Sequence, residues 1–141
     1  MKIREALDKI GYTTYLTISG ECTLEEASEK MSKMPQIRGI YVLDKQGRLE
    51  GYLSLGVLIR DVIAARHRYS FHVRSLLARI TSEKVSDIMD ENIVFAQKGD
   101  DIKKVLDLMV NRNIKEIPVV DEERHIIASL GIIDLWKLVE K

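Results

Sequence analysis

The segment Ile117–Asp134, IPVVDEERHIIASLGIID, repeats the hydrophobic rhythm of Ile40–Val57, IYVLDKQGRLEGYLSLGV, 77 residues before it. Both run through apolar residues to an aspartate and cross a charged turn. Both then enter a second apolar run that ends in small and branched-aliphatic residues. Ile40 to Leu43 and Val119 to Val120 have the side chains of strands and stop at Asp, a turn starter. Gly47 supplies the first turn, whereas EERH in the second copy has no glycine and is expected to turn more loosely.

The copying extends outward. In TLEEASEKMSKM, Leu24, Ala27, Met31 and Met34 fall on one helical face. In DIKKVLDLMVNR the face is Ile102, Val105, Leu106, Met109 and Val110. Thr23 and Asp101 stand where a side-chain oxygen can cap the first turn. These helices align at an offset of 78, so one extra residue near SKMPQI separates them from the strand offset. Farther upstream, LDKIGYTTYLTI (7–18) aligns with VSDIMDENIVFA (85–96), each a short helical turn followed by an extended run. Downstream, LGVLIRDVIAA and IIDLWKLVEK read as closing helices. Each copy is therefore strand, helix, strand, turn, strand, helix. A three-stranded sheet of about 60 residues leaves one face bare, so two copies packed sheet to sheet would cover each other around a pseudo-twofold axis.

Composition bounds the partners. The 141 residues are 45% apolar and 31% charged with zero formal net charge, so no global field recruits nucleic acid or anionic lipid. The single cysteine, Cys22, excludes an intrachain disulfide and a cysteine-rich zinc site. No apolar run reaches the roughly 18 residues of a membrane span, and MKIREALDKIG lacks the apolar core of a signal peptide. The expectation is a soluble, cytoplasmic protein.

The second copy, from DIM (Asp87–Met89) through IPVVD (Ile117–Asp121) to GIIDL (Gly131–Leu135), resembles a CBS domain. The first copy is similar, with Tyr41 where the family usually has Pro. Together they resemble a tandem pair, or Bateman module: residues 1–66 as first motif, 67–84 as a basic helical linker, and 85–141 as second motif. The resemblance implies an α/β (α+β) fold, each motif a small, mostly three-stranded sheet with two helices. It also implies a regulatory role, with an adenosine-containing ligand (AMP, ADP, ATP or S-adenosylmethionine) in the cleft between motifs, Mg²⁺ being a candidate companion and no cofactor being required.

By that resemblance, the second cleft is lined by Asn92, Ile93, Val94, Lys115, Ile117, Pro118, Gly131 and Asp134. The first is lined by Thr14, Tyr15, Arg38, Ile40 and Ser54. The family's ribose contact uses Ser or Thr, two spacers, then Asp. Here the pattern is split: Ser54 precedes Val57, and Gly131 precedes Asp134. A carboxylate accepts from both ribose hydroxyls and a valine cannot, so the second cleft is the better nucleotide site.

From Arg60 to Lys84 there are six basic residues, including Arg66, Arg68, Arg74 and Arg79, against Asp61 and Glu83. Two helices with a break near HRYS are expected there, and the charge reads first as a solvated face. His67, His72 and His125 show no metal-ligand spacing, and no catalytic motif or phosphate-binding glycine loop occurs. The reading is a non-enzymatic ligand sensor, homodimeric through its closing helices and read by a protein partner. Its alternative is an interaction module with degenerate clefts acting through the basic linker, with nucleic-acid binding third.

Overall fold

The computed structural model describes residues 1–11, 13–60 and 83–140. The linker helices expected after Arg60 fall on residues 61–82, outside the described residues. The chain divides into two compact units, Leu16–Ile93 and Met1–Tyr15 with Val94–Lys141.

In the first unit, β1 (Thr17–Ser19) pairs parallel with β2 (Gly39–Leu43), which pairs antiparallel with β3 (Leu49–Ser54). The crossover is α2 (Leu24–Ser32), followed after β3 by α3 (Leu55–Leu58); α4 (Val85–Ile88) joins the same unit. Alternation along the strands turns Ile18, Ile40, Val42 and Leu53 inward onto Leu24, Ala27 and Met31 of α2. The Thr23 hydroxyl caps α2 as expected, accepting from the Glu26 N–H at 3.1 Å.

In the second unit, α5 (Ile102–Arg112) precedes an antiparallel pair, β4 (Glu116–Val120) and β5 (Ile126–Gly131), and α6 (Ile132–Glu140) closes it. The amino-terminal helix α1 (Ile3–Ile10) belongs here, with Ile3 and Ala6 fully buried beside Ile102, Met109, Ile117 and Leu130. Two expectations change. Asp101 makes no side-chain cap and instead lies 3.8 Å from the Met1 ammonium. Val110, counted on the buried face of α5, is 61% exposed.

The helical turn leading each copy is exchanged into the unit holding the other copy's strands. In one unit Leu24 N donates to Glu83 O, Val85 N to Cys22 O and Ser86 N to Gly20 O. In the other Ile102 N donates to Met1 O, Ile3 N to Asp100 O and Arg4 N to Lys98 O. The two triplets correspond bond for bond. They match Ile3 to Val85, an offset of 82 rather than the 78 read from sequence. The difference is about one helical turn: α1 has eight residues and α4 has four.

Both antiparallel pairs carry a bulge at the same place. Val42 faces Gly51 and Leu43 faces Leu49, leaving Glu50 extra; Val119 faces Ala128 and Val120 faces Ile126, leaving Ile127 extra. The first unit has three full strands, whereas the second replaces β1 with a single parallel bridge, Ala96 to Val119. Proline explains the loss. Tyr41 N donates to Leu16 O at 2.9 Å; its counterpart, Pro118, has no N–H to give Val94.

The expected looseness of the EERH turn is not found. Asp44 Oδ1 accepts from the N–H groups of Gln46 and Arg48, and Asp121 Oδ1 from those of Glu123 and His125, all at 2.9 Å. These N–H groups hold both carboxyls below the usual carboxylate range. Arg124 adopts φ 70°, filling the left-handed role of Gly47 at φ 78°, and lies 5.1 Å from the Phe95 ring centroid. Gly47→Ala should lower stability by about 1 kcal/mol in urea unfolding, because alanine resists that φ. Arg124→Ala, where the strain already exists, should cost only the ring contact, about 0.5 kcal/mol.

Gly39 is needed for a different reason. Its missing side chain leaves room for the Tyr52 ring and hydroxyl, which lie directly over it. Gly39→Ala should therefore cost about 1–3 kcal/mol. Tyr52→Ser, which copies Ser129 of the second unit, should remove most of that penalty in the double mutant.

Candidate functional site

The structure distributes the thirteen candidate residues between the two units. Val94, Lys115, Ile117, Pro118, Gly131 and Asp134 share one, together with Thr14 and Tyr15. Arg38, Ile40 and Ser54 share the other, together with Asn92 and Ile93. The unit boundaries thus fall at Tyr15/Leu16 and Ile93/Val94, inside the segments read as the first strand of each lining.

In the Asp134 unit, Pro118 is buried on β4, and its ring removes the donor that would otherwise reach Val94. Among the described residues no backbone N–H donates to the Val94 carbonyl, leaving a main-chain acceptor for another partner. Ile117 is fully buried in the apolar core, so it shapes the strand beneath rather than offering a side chain. Lys115 is exposed, and its carbonyl accepts from Ile132 N at 2.8 Å, fixing the start of α6 against the entry to β4.

Gly131 and Asp134 stand three apart across the β5–α6 junction. The Asp134 carboxylate lies 3.5 Å from where a Cβ on Gly131 would sit, so the space beside the glycine is occupied by an acceptor. No described residue pairs with that carboxylate. A half-buried anion near a helix start with unused lone pairs is suited to hydroxyl or amine donors.

The other unit keeps the frame and changes the chemistry. Leu55 N donates to Arg38 O at 2.8 Å, the counterpart of Ile132 to Lys115. Arg38 is exposed, and Ile40 is fully buried in the core. Ser54, however, caps α3: its Oγ accepts from Val57 N at 3.1 Å, so the hydroxyl is engaged locally. Asn92 is exposed, with its N–H donating to Asp90 Oδ1 at 2.9 Å; Ile93 and Tyr15 are half-buried, and Thr14 is exposed.

Sequence reasoning missed one local feature. Tyr41 and Tyr52 form a tilted pair with ring centroids 5.3 Å apart, on the sheet face opposite Ile40 and Val42. Their counterparts are Pro118 and Ser129, which also face each other across the strand pair. The repeat alignment held the signal, because two rings replace two small residues at matched positions. Among the described residues, no group of three or more His, Cys, Asp or Glu could hold a metal, and no helix is long and apolar enough to cross a membrane.

Comparison with known proteins gives this geometry a context. The CBS-domain pattern matches residues 8–64 and again 85–141. The magnesium transporter MgtE of Thermus thermophilus is 32% identical over 101 residues, covering 72% of this chain and 18% of the transporter, so the chain spans about a fifth of that relative. The crystal structure of the cytosolic domain of the Mg²⁺ channel MgtE in complex with ATP is 26% identical at a TM-score of 0.66, covering 88% of this chain and 44% of that one. A CBS domain pair in complex with 5′-methylthioadenosine and S-adenosyl-L-methionine superposes at a TM-score of 0.65 with 20% identity, covering 99% and 96%. The mixed α+β units and the twice-matched pattern place this chain in the CBS-domain family, as a tandem pair.

Proposed function

We propose that this chain is a regulatory module that takes an adenosine-containing ligand at the residue set around Asp134 and passes the bound state to a protein partner. The observation that carries the reading is the pair of unused acceptors in one unit, the Val94 carbonyl and the Asp134 carboxylate. An adenosine offers an exocyclic amine and two ribose hydroxyls, which are donors in the number and kind those acceptors need. Relatives crystallised with ATP, and with S-adenosyl-L-methionine and 5′-methylthioadenosine, support the ligand class. The mechanism is population shift, in which the ligand favours the arrangement it binds better. No catalytic step is part of the proposal, and Mg²⁺ enters only as the companion of a polyphosphate.

The set around Ser54 suits the same ligand less well. Val57 offers no acceptor, Ser54 is spent on its cap, and Leu16 O is taken by Tyr41 N. One occupied cleft per chain follows. A cytoplasmic homodimer completes the proposal: Ile59 at the end of α3 and Trp136 of α6 are 42% and 49% exposed at corresponding positions, with Ile133 at 61%. A second reading, an interaction module with degenerate clefts, draws support from the tyrosine pair.

Thermal unfolding with AMP, ADP, ATP, S-adenosylmethionine and an adenine-free control tests the ligand class. The favoured ligand at about 100 times its Kd should raise Tm by several degrees. Asp134→Ala should weaken it by roughly tenfold to a hundredfold, matching loss of hydroxyl partners worth about 1–3 kcal/mol. Pro118→Ala restores an N–H opposite Val94 and should narrow the preference for adenine over hypoxanthine. If no adenosine ligand shifts Tm, the interaction-module reading replaces this one. Sedimentation of Trp136→Glu should show a smaller species than the unaltered chain.

A further inference from the structure

A polar cavity of about 270 Å³ lies wholly within the Leu16–Ile93 unit, at the end of the sheet where β1 and β2 finish. Arg38 and Ser54 stand at the opposite end, about 13–17 Å from Leu43 along β2 at the usual strand rise. The cavity is therefore separate from the residues read as the adenosine set. Its wall combines the β1–α2 loop, the β2–β3 turn, the bulged Glu50 and Ser86 of α4.

The charges around it are not equivalent. Glu21 is paired with Lys84 Nζ at 2.9 Å, and that bond holds its carboxyl below the usual range. Asp44 is consumed by its own turn and by Arg48 Nε at 3.1 Å. Among the described residues that leaves Glu50 as the carboxylate without a partner, and Lys45 as an ammonium in no hydrogen bond or ion pair, acting on Glu21 only through its field. The bulge brings the exposed Glu50 side chain over Gly20, its Oε2 lying 3.3 Å from where a Cβ on Gly20 would sit. Ser86 approaches the same point equally closely, so the absent side chain of Gly20 is what lets both line the space.

These features select a ligand chemistry. Among the described residues of the lining Leu43 is the one apolar side chain and no aromatic ring offers a stacking surface, so a nucleobase finds little there to lie on. A simple anion would meet three carboxylates, while a simple cation would leave Lys45 without an ion pair and add a second positive charge beside it. At roughly 30 Å³ for each water-sized atom, the volume accommodates about nine non-hydrogen atoms. We propose that this cavity binds a small zwitterion of the free amino-acid class, its ammonium on Glu50 and its carboxylate on Lys45. The hydroxyls of Ser19 and Ser86 remain for a polar side chain. Because Ser86 lies on α4, six residues before Asn92, an occupant would brace the segment that leads into the adenosine set.

The test is thermal unfolding of the full chain with glycine, L-serine and L-glutamine against n-butylamine and butyrate. At ten times Kd, at least one amino acid should raise Tm by about 3 °C, with neither half-charged probe doing so. Glu50→Gln and Lys45→Gln, both on exposed side chains, should each abolish that shift while leaving any adenosine-ligand shift unchanged. Stabilisation by n-butylamine equal to that by the amino acids would overturn the proposal in favour of a plain cation site. A shift from none of the amino acids, or one that survives both substitutions, would overturn it outright.

Discussion

Six main-chain hydrogen bonds, three in each unit, set the frame on which everything else rests. The first N–H groups of a helix have no partner inside it, and here they are satisfied by exchange. Leu24 N and Ile102 N, at the starts of α2 and α5, are accepted by Glu83 O and Met1 O. The segments carrying those carbonyls then donate back, through Val85 and Ser86 to Cys22 and Gly20, and through Ile3 and Arg4 to Asp100 and Lys98. Breaking one side strands donors beside Val85 and Ile3, which are fully buried, at about 1–3 kcal/mol each. This reciprocity also explains why residues 1–15 join the unit built from the second copy.

The repeat was legible because its signals are local. Apolar periodicity and an aspartate before a turn each act within a few residues, and each recurs at an offset of 77 or 78. The exchange was not legible, because hydrogen bonds between distant segments leave no periodic trace. The extra turn of α1 also hid the true correspondence of Ile3 with Val85. The EERH turn misled for a different reason. Glycine is the default in the left-handed region but not the sole occupant. With Asp121 holding two N–H groups and Phe95 beneath the guanidinium, the surroundings of Arg124 sustain that conformation. At the candidate site, the family pattern located residues but not their states. The Ser54 hydroxyl is committed to Val57 N, and Ile40 and Ile117 belong to the core, because of contacts that a motif does not encode.

Pro118 shows how one residue can act on both fold and site. Its missing N–H removes a rung from the sheet, so the counterpart of β1 shrinks to a bridge at Ala96. The same absence leaves the Val94 carbonyl without a backbone donor. In the other unit Tyr41 restores the rung, and its ring pairs with Tyr52, which lies over Gly39. A sheet completed in this way has no main-chain acceptor to offer at that position. Local regularity of the strand and availability for a ligand are therefore in opposition at this one residue.

The bulges carry the same reasoning to the other end of the sheet. Both units place an extra residue opposite a single partner at matched positions, so the backbone device is shared. What it presents differs: Glu50 turns over Gly20, whereas Ile127 is 38% exposed. Beside them Ser86 is matched by Arg4, and Gly20 by Lys98, through the equivalent hydrogen bonds. The second unit therefore replaces the elements of the polar cavity with an apolar side chain and two cations. A main-chain frame that fixes position without fixing side chain lets the two copies diverge without refolding. The acceptors around Asp134 in one unit and the opposed charges around Gly20 in the other are two results of that freedom.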